Sequence, residues 1–208
     1  MKVLIVGAGM SGLCMGIKLK KAGVAFTILE KSPHLGGTWW ENTYPGCACD
    51  IPSHLYGFSF APKPDWSRKF PPQAEILDYL QALATDHGLL EHIRFNTVVR
   101  EARYQEANGH WRVELGDGEA LEADAFVSAV GPLHVPKLPT LEGLGSFEGP
   151  SFHSASWDHD VELAGLRVGV IGNAASAVQL VPEVAKEAKE LYVFQRSAHW
   201  VLPRSDCT

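Results

Sequence analysis

The chain has 208 residues, 46% of them hydrophobic and 20% charged, enough to bury the core of one large domain or of one domain and part of another. Its net charge of −6 and its scattered Lys and Arg exclude a nucleic-acid surface, which requires clustered cations. The cysteines at 14, 47, 49 and 207 form neither a CxxC pair nor a zinc pattern, and they read as reduced thiols of a cytoplasmic protein.

Lys2 to Val6 is a short β-branched run ended by Gly7 and predicts a buried parallel strand. Met10 to Ala22, with Leu13, Ile17 and Leu19 among small neighbours, predicts a helix stopped by Gly23. Val24 to Leu29 is the next strand, so a βαβ unit opens the chain. The uncharged run Val3 to Ile17 is too short to span a bilayer and has no small-residue cleavage site, so no targeting or membrane segment is expected. From Lys31 to about Pro72 the chain is irregular but carries Trp39, Trp40, Tyr44, Tyr56, Phe58, Phe60 and Trp66. That is too aromatic for disorder, and the stretch should be packed. Gln73 to His87 predicts a helix. Thr97 to Tyr104, His110 to Leu115 and Ala120 to Ala123 predict an antiparallel meander, with a turn at Gly116 to Gly118. Ala125 to Val130 is a further strand, closed by Gly131. Pro132, Pro136 and Pro139 then mark a linker. A second βαβ unit follows, with a strand at Arg167 to Ile171, a helix from about Ala175 to Ala188 and a strand at Leu191 to Gln195.

Each βαβ unit carries a glycine fingerprint between its first strand and its helix. The first is Gly7-Ala8-Gly9-Met10-Ser11-Gly12, a full GxGxxG. Its first glycine permits a tight turn, its second leaves room for a pyrophosphate, and its third allows close helix packing, while the helix N-terminus attracts phosphate. Glu30, 18 residues beyond Gly12, is placed to accept from ribose hydroxyls and to repel a 2′-phosphate. The second is Gly172-Asn173-Ala174-Ala175-Ser176-Ala177, with Ala174 at the middle glycine position, where its methyl is expected to push the backbone slightly off the pyrophosphate. Here Arg196, 19 residues past Ala177, replaces the acid and matches a 2′-phosphate through charge-assisted hydrogen bonds. The pairing predicts FAD in the first unit and NADPH in the second.

Between the fingerprints lies Phe147-Glu148-Gly149-Pro150-Ser151-Phe152-His153-Ser154-Ala155-Ser156-Trp157-Asp158. Through Phe147, Gly149, His153, Trp157 and Asp158 it resembles the FxGxxxHxxxW(P/D) signature of Baeyer–Villiger monooxygenases. The related N-oxygenating flavin enzymes typically have another aromatic at the Trp157 position. The resemblance implies that His153 is structural, tying the linker to cofactor-domain movement. Gly36-Gly37-Thr38-Trp39 and Asn42-x-Tyr44-Pro45-Gly46-x-x-x-Asp50 resemble the family's flavin-side loop, with Ala48 where many members have arginine. By that resemblance Gly36 and Gly37 let backbone approach the flavin ring, Trp39 forms an apolar wall, and Asp50 pairs with an arginine that stabilises a flavin peroxide. Asp124 to Gly131 resembles the family's strand ending in Ala-Thr-Gly, with Val130 for threonine. Gln195-Arg196-Ser197 resembles its nucleotide-phosphate loop, with serine where threonine is common.

The resemblance runs from Val3 to about Arg204 and implies that the chain is the front portion of a longer enzyme, the arginine partner of Asp50 lying in the remainder. The expected fold is α/β: a Rossmann-like FAD-binding unit with a three-layer sheet and a small antiparallel meander (1–135), a linker bearing the signature (136–160), and the start of a second Rossmann-like, NADPH-binding unit (161–208). The implied activity uses NADPH and O2 to form a flavin C4a-peroxide that inserts oxygen into a ketone, giving an ester or lactone. Two alternatives stay open. One is N- or S-oxygenation of an amine or sulfide; the other is a non-catalytic FAD-binding fragment. No metal is expected, and the sequence gives no basis for an oligomeric state.

Overall fold

A computed structural model describes residues 1–201, so Cys207 and Arg204 lie outside the described residues. The chain divides into two compact units, one of Met1–Trp40 and Ile76–His134, the other of Glu41–Glu75 and the chain from Val135 onwards.

The first unit is built on the opening βαβ. β1 (Lys2–Val6) and β2 (Ala25–Leu29) pair in parallel, and helix α1 (Met10–Lys21) crosses between them. α1 ends where the sequence places a stop: the Val24 N–H donates to the Leu19 carbonyl and Gly23, at φ 69°, donates to the Lys20 carbonyl, closing the last turn. Helices α2 (Thr38–Glu41) and α3 (Gln73–Asp86) follow, then β3 (Ile93–Arg94), β4 (Val99–Gln105), β5 (His110–Leu115), β6 (Ala120–Ala123) and β7 (Ala125–Ser128). The parallel sheet has the order β3-β2-β1-β7, and β4-β5-β6 form the antiparallel meander.

Strand alternation divides the apolar side chains between two faces. Leu4 and Leu29 meet Val113, Leu115 and Ala123 of the meander in one core cluster. On the other face Ile5, Phe26 and Ile28 line the side where α1 packs, close to Gly12 and Gly16. Helix, parallel sheet and meander are therefore three layers, as the sequence predicts. Each fully buried leucine or isoleucine of this core contributes about 1.5–3 kcal/mol relative to exposure.

Four details differ from expectation. β3 is too short for periodicity to reveal. The aromatic stretch contains α2 and a 3-10 turn at Ser53–Leu55. β7 stops at Ser128, and Val130 is exposed. β4 starts at Val99, because Thr97 is drawn off to bond the Glu30 carbonyl instead.

In the second unit β8 (Arg167–Ile171) and β9 (Glu190–Phe194) pair in parallel around helix α4 (Ala175–Glu187). Its core joins Leu180 and Val184 of α4 to Tyr44 and Leu163, with Trp157, Val168, Val170 and Leu191 against them. The segment 41–75 thus packs with α4 in the same unit. Among the described residues no helix is long and apolar enough to cross a membrane, and no cluster of three His, Cys, Asp or Glu could hold a metal.

Candidate functional site

The first fingerprint folds into a turn whose glycines answer to specific contacts. Gly7 has φ 103°, and a Cβ there would lie 2.5 Å from the Ala129 carbonyl oxygen. A Cβ on Gly12 would lie 1.9 Å from the Gly7 carbonyl oxygen, so the helix can approach the strand only without a side chain there. Gly9 is the N-cap residue of α1, at φ −79° and ψ −168°, with no side-chain cap and no acid in the first turn. The helix therefore opens with uncapped N–H groups beside the exposed Ser11, a terminus suited to a phosphate.

Two neighbours complete this turn. Glu30, buried directly after β2, accepts from the Ala8 N–H at 2.6 Å through Oε2 and from the Ser32 N–H at 2.9 Å through Oε1. A carboxylate has about four acceptor sites, so capacity remains for ribose hydroxyls. Gly36 donates to the Ala8 carbonyl, and a Cβ on Gly37 would lie 3.0 Å from Gly9 Cα. The two bare backbones meet there. Thr38 is exposed at the start of α2, Trp39 is buried, and Gly131 is exposed at φ 75° after β7.

The second fingerprint repeats the first. Gly172 has φ 112°, and its N–H donates to the Phe194 carbonyl at 2.8 Å, as Gly7 donates to Leu29 at 2.8 Å. Ala174 caps α4 at φ −76° and ψ −174°, close to the values at Gly9. The Ala174 methyl therefore does not push the turn out of shape. Any residue adopts that conformation, and a Cβ at position 9 would lie 3.5 Å from Gly37 Cα, an ordinary contact; the tight side of this approach is Gly37, at φ 54°. Ser176 lies in the first turn of α4, and Ala177 is buried.

The paired hydrogen bonds also correct the register after the second strand. Leu29 corresponds to Phe194, so Gln195 stands where Glu30 stands in the first unit, and the exposed Arg196 is one residue further on. A neutral amide thus replaces the carboxylate, with the cation beside it. Asn173, which sequence reasoning passed over, donates from Nδ2 to Gln195 Oε1 and to the Ser197 carbonyl, both at 2.8 Å.

Asp50 lies on the loop that Gln179 of α4 holds. The Tyr44 hydroxyl donates to Gln179 Oε1 at 2.8 Å, and Gln179 Nε2 donates to the Ala48 carbonyl at 2.9 Å. Gly46 touches the helix so closely that a Cβ would sit 2.6 Å from the Gln179 carbonyl oxygen. Burial raises the Tyr44 phenol to about 12, with the Ser176 hydroxyl and the Cys47 thiol within bonding reach and the Asp50 charge adding a little. Burial also pushes the Cys47 thiol up. Asp50 itself is exposed, between buried Cys49 and exposed Ile51. Sequence reasoning missed Gln179. Its only signal is an amide among the apolar residues of α4.

The signature segment is locally ordered. The Phe147 ring lies over Gly149, where a Cβ would come within 2.8 Å of it. His153 caps the 3-10 turn Ser154–Ser156, its Nδ1 accepting from the Ala155 N–H at 3.0 Å. Trp157 meets Phe152 edge to face at 5.1 Å and packs on the second-unit core. Asp158 Oδ1 accepts from the Asp160 N–H at 3.0 Å. Of the predicted site residues, the first unit gathers Gly7, Gly9, Ser11, Gly12, Glu30, Gly37, Thr38, Trp39 and Gly131. The second holds Asp50, the signature and the second fingerprint.

A family model described as flavin-binding monooxygenase-like matches residues 1–207. A Baeyer–Villiger monooxygenase of Streptomyces coelicolor is 47% identical over 99% of this chain and 40% of its own length, and one of Pseudomonas aeruginosa is 44% identical over 99% and 39%. Among solved structures, the OTEMO complex with FAD and NADP superposes with a TM-score of 0.93 at 38% identity, covering 100% of this chain and 41% of that one. Cyclohexanone monooxygenase from Rhodococcus sp. Phi1 bound to NADP+ has a TM-score of 0.92 at 36% identity, covering 99% and 40%. The chain spans about 40% of the length of the curated relatives it matches.

Proposed function

The chain belongs to the flavin-binding monooxygenase-like family, and on that premise we propose that its protein is an NADPH-dependent flavoprotein monooxygenase of the Baeyer–Villiger type, converting a ketone, O2, NADPH and a proton into an ester or lactone, NADP+ and water. The observation that carries this reading is the repeated glycine turn, followed by Glu30 in one unit and by Gln195-Arg196 in the other, together with the Phe147 to Asp158 signature.

The residues of the first turn fit FAD. The uncapped N-terminus of α1 draws the pyrophosphate, the side-chain-free Gly9 and Gly37 leave room for it, and Glu30 accepts from ribose hydroxyls. Ser11, Gly12, Thr38, Trp39 and Gly131 complete that wall. Gly172, Ala174, Ser176 and Ala177 hold the NADPH pyrophosphate in the same way, while Arg196 and Ser197 take the 2′-phosphate. By the family resemblance, Asp50 would pair with a cationic side chain and so support the flavin chemistry. When bound, the two cofactors supply the electrons that let one atom of O2 enter the substrate. In this reading residues 1–135 are the FAD domain, 136–160 the signature-bearing linker, and 161–208 part of the NADPH domain. A cytoplasmic location agrees with the free thiols of Cys14 and Cys47.

The test is product analysis on the FAD-loaded full-length protein given NADPH, air, and matched sets of ketones and sulfides. Ester or lactone should form in step with NADPH oxidation. Oxygen and NADPH consumption without ester from any ketone contradicts the proposal, and sulfoxide as sole product moves the reading to heteroatom oxygenation.

A further inference from the structure

In the first unit a residue after the strand reaches back to the turn: the Glu30 carboxylate accepts from the Ala8 N–H. In the second unit the polarity is reversed. Asn173 holds the position of Ala8, and its side chain reaches out from the turn to the loop after β9. A primary amide has two N–H hydrogens, and Asn173 spends them on the residue before Arg196 and on the residue after it. The Gln195 side chain and the Ser197 carbonyl are both held at 2.8 Å, so Arg196 lies between a tethered side chain and an anchored backbone carbonyl in a stretch that is otherwise exposed.

We infer that Asn173 is the positioning residue that sets Arg196 for a 2′-phosphate, and so carries the second unit's discrimination between 2′-phosphorylated and plain adenine nucleotides. The inference rests on the proposal that Arg196 takes that phosphate. Asn173 touches the loop and not the phosphate. Its effect runs through the direction in which the Arg196 guanidinium leaves the backbone, and bidentate recognition is sensitive to that direction. Gln195 in the register of Glu30 serves the same end, since it bonds Asn173 without presenting a negative charge to the ligand.

The experiment is calorimetric titration of the FAD-loaded full-length protein with adenosine 2′,5′-bisphosphate and with adenosine 5′-monophosphate. The wild type should prefer the bisphosphate, and Arg196→Ala should erase that preference. If either fails, the reading of Arg196 falls and this inference falls with it. Where both hold, Asn173→Ala should weaken the bisphosphate about tenfold and the monophosphate less than about twofold. Asn173→Leu, which keeps the size and loses both donors without adding charge, should weaken the bisphosphate to the same extent, and it carries the test should the alanine variant not fold. In the Arg196→Ala background, Asn173→Ala should have no added effect on the preference. Equal loss for both ligands, an unchanged bisphosphate affinity, or additive losses in the double variant would each overturn the inference while leaving the role of Arg196 intact.

Discussion

The contacts of single residues make the first turn intolerant of change. Gly12→Ala would set a methyl carbon 1.9 Å from the Gly7 carbonyl oxygen, so α1 must lift from β1 or the turn must open. Destabilisation of about 3 kcal/mol is expected, together with loss of flavin from the full-length protein, read as the shift in the urea midpoint and the visible absorbance after gel filtration. Tyr44 gives a second prediction. Because burial raises its phenol to about 12, an ultraviolet titration should show a phenol ionising in that range, and Tyr44→Phe should remove that step. The sign for stability follows. The contribution is whole below the ordinary phenol value of 10.0, and it is lost as pH rises through about 12. The glycines were legible because chain geometry fixes their spacing. Asn173 and Gln179 were not, because the reach of a side-chain amide across the fold leaves no local pattern in the sequence.

At the scale of elements, α4 has two tasks: it opens with the second fingerprint, and through Gln179 it carries the loop bearing Tyr44, Ala48 and Asp50. Gln179→Leu leaves the Tyr44 hydroxyl and the Ala48 carbonyl without their partner. A cost of about 1–3 kcal/mol is expected, measured by chemical denaturation and accompanied by faster amide exchange at residues 44–50. Gln179→Glu should recover part of that stability, since a carboxylate still accepts from the Tyr44 hydroxyl. The longer strands and helices lay within a residue or two of their expected places, because their alternation and helical spacing are strong. β3, with only Ile93 and Arg94, was invisible: its place comes from pairing with Ile28 and Leu29. The aromatic stretch was rightly expected to pack, but its attachment to α4 depends on the Gly46 approach and on Gln179, which no periodicity encodes. The register after β9 needed the hydrogen bond from Gly172 to Phe194, since one residue's difference in spacing is below what sequence counting resolves.

For the molecule as a whole, the duplicated βαβ unit was the strongest sequence signal, and both copies formed with matching turn geometry. What distinguishes the copies is electrostatic. One places a carboxylate after its second strand; the other places a neutral amide followed by a guanidinium. On the proposed function, that difference assigns FAD to the first turn and NADPH to the second. The most direct test mixes the FAD-loaded full-length protein anaerobically with NADPH or with NADH and follows the visible flavin band. NADPH should bleach it at least about tenfold faster than NADH at limiting concentration, and Arg196→Ala should bring the two rates together. A protein that retains no flavin, or one that NADH bleaches as fast as NADPH does, would contradict the assignment of the two turns.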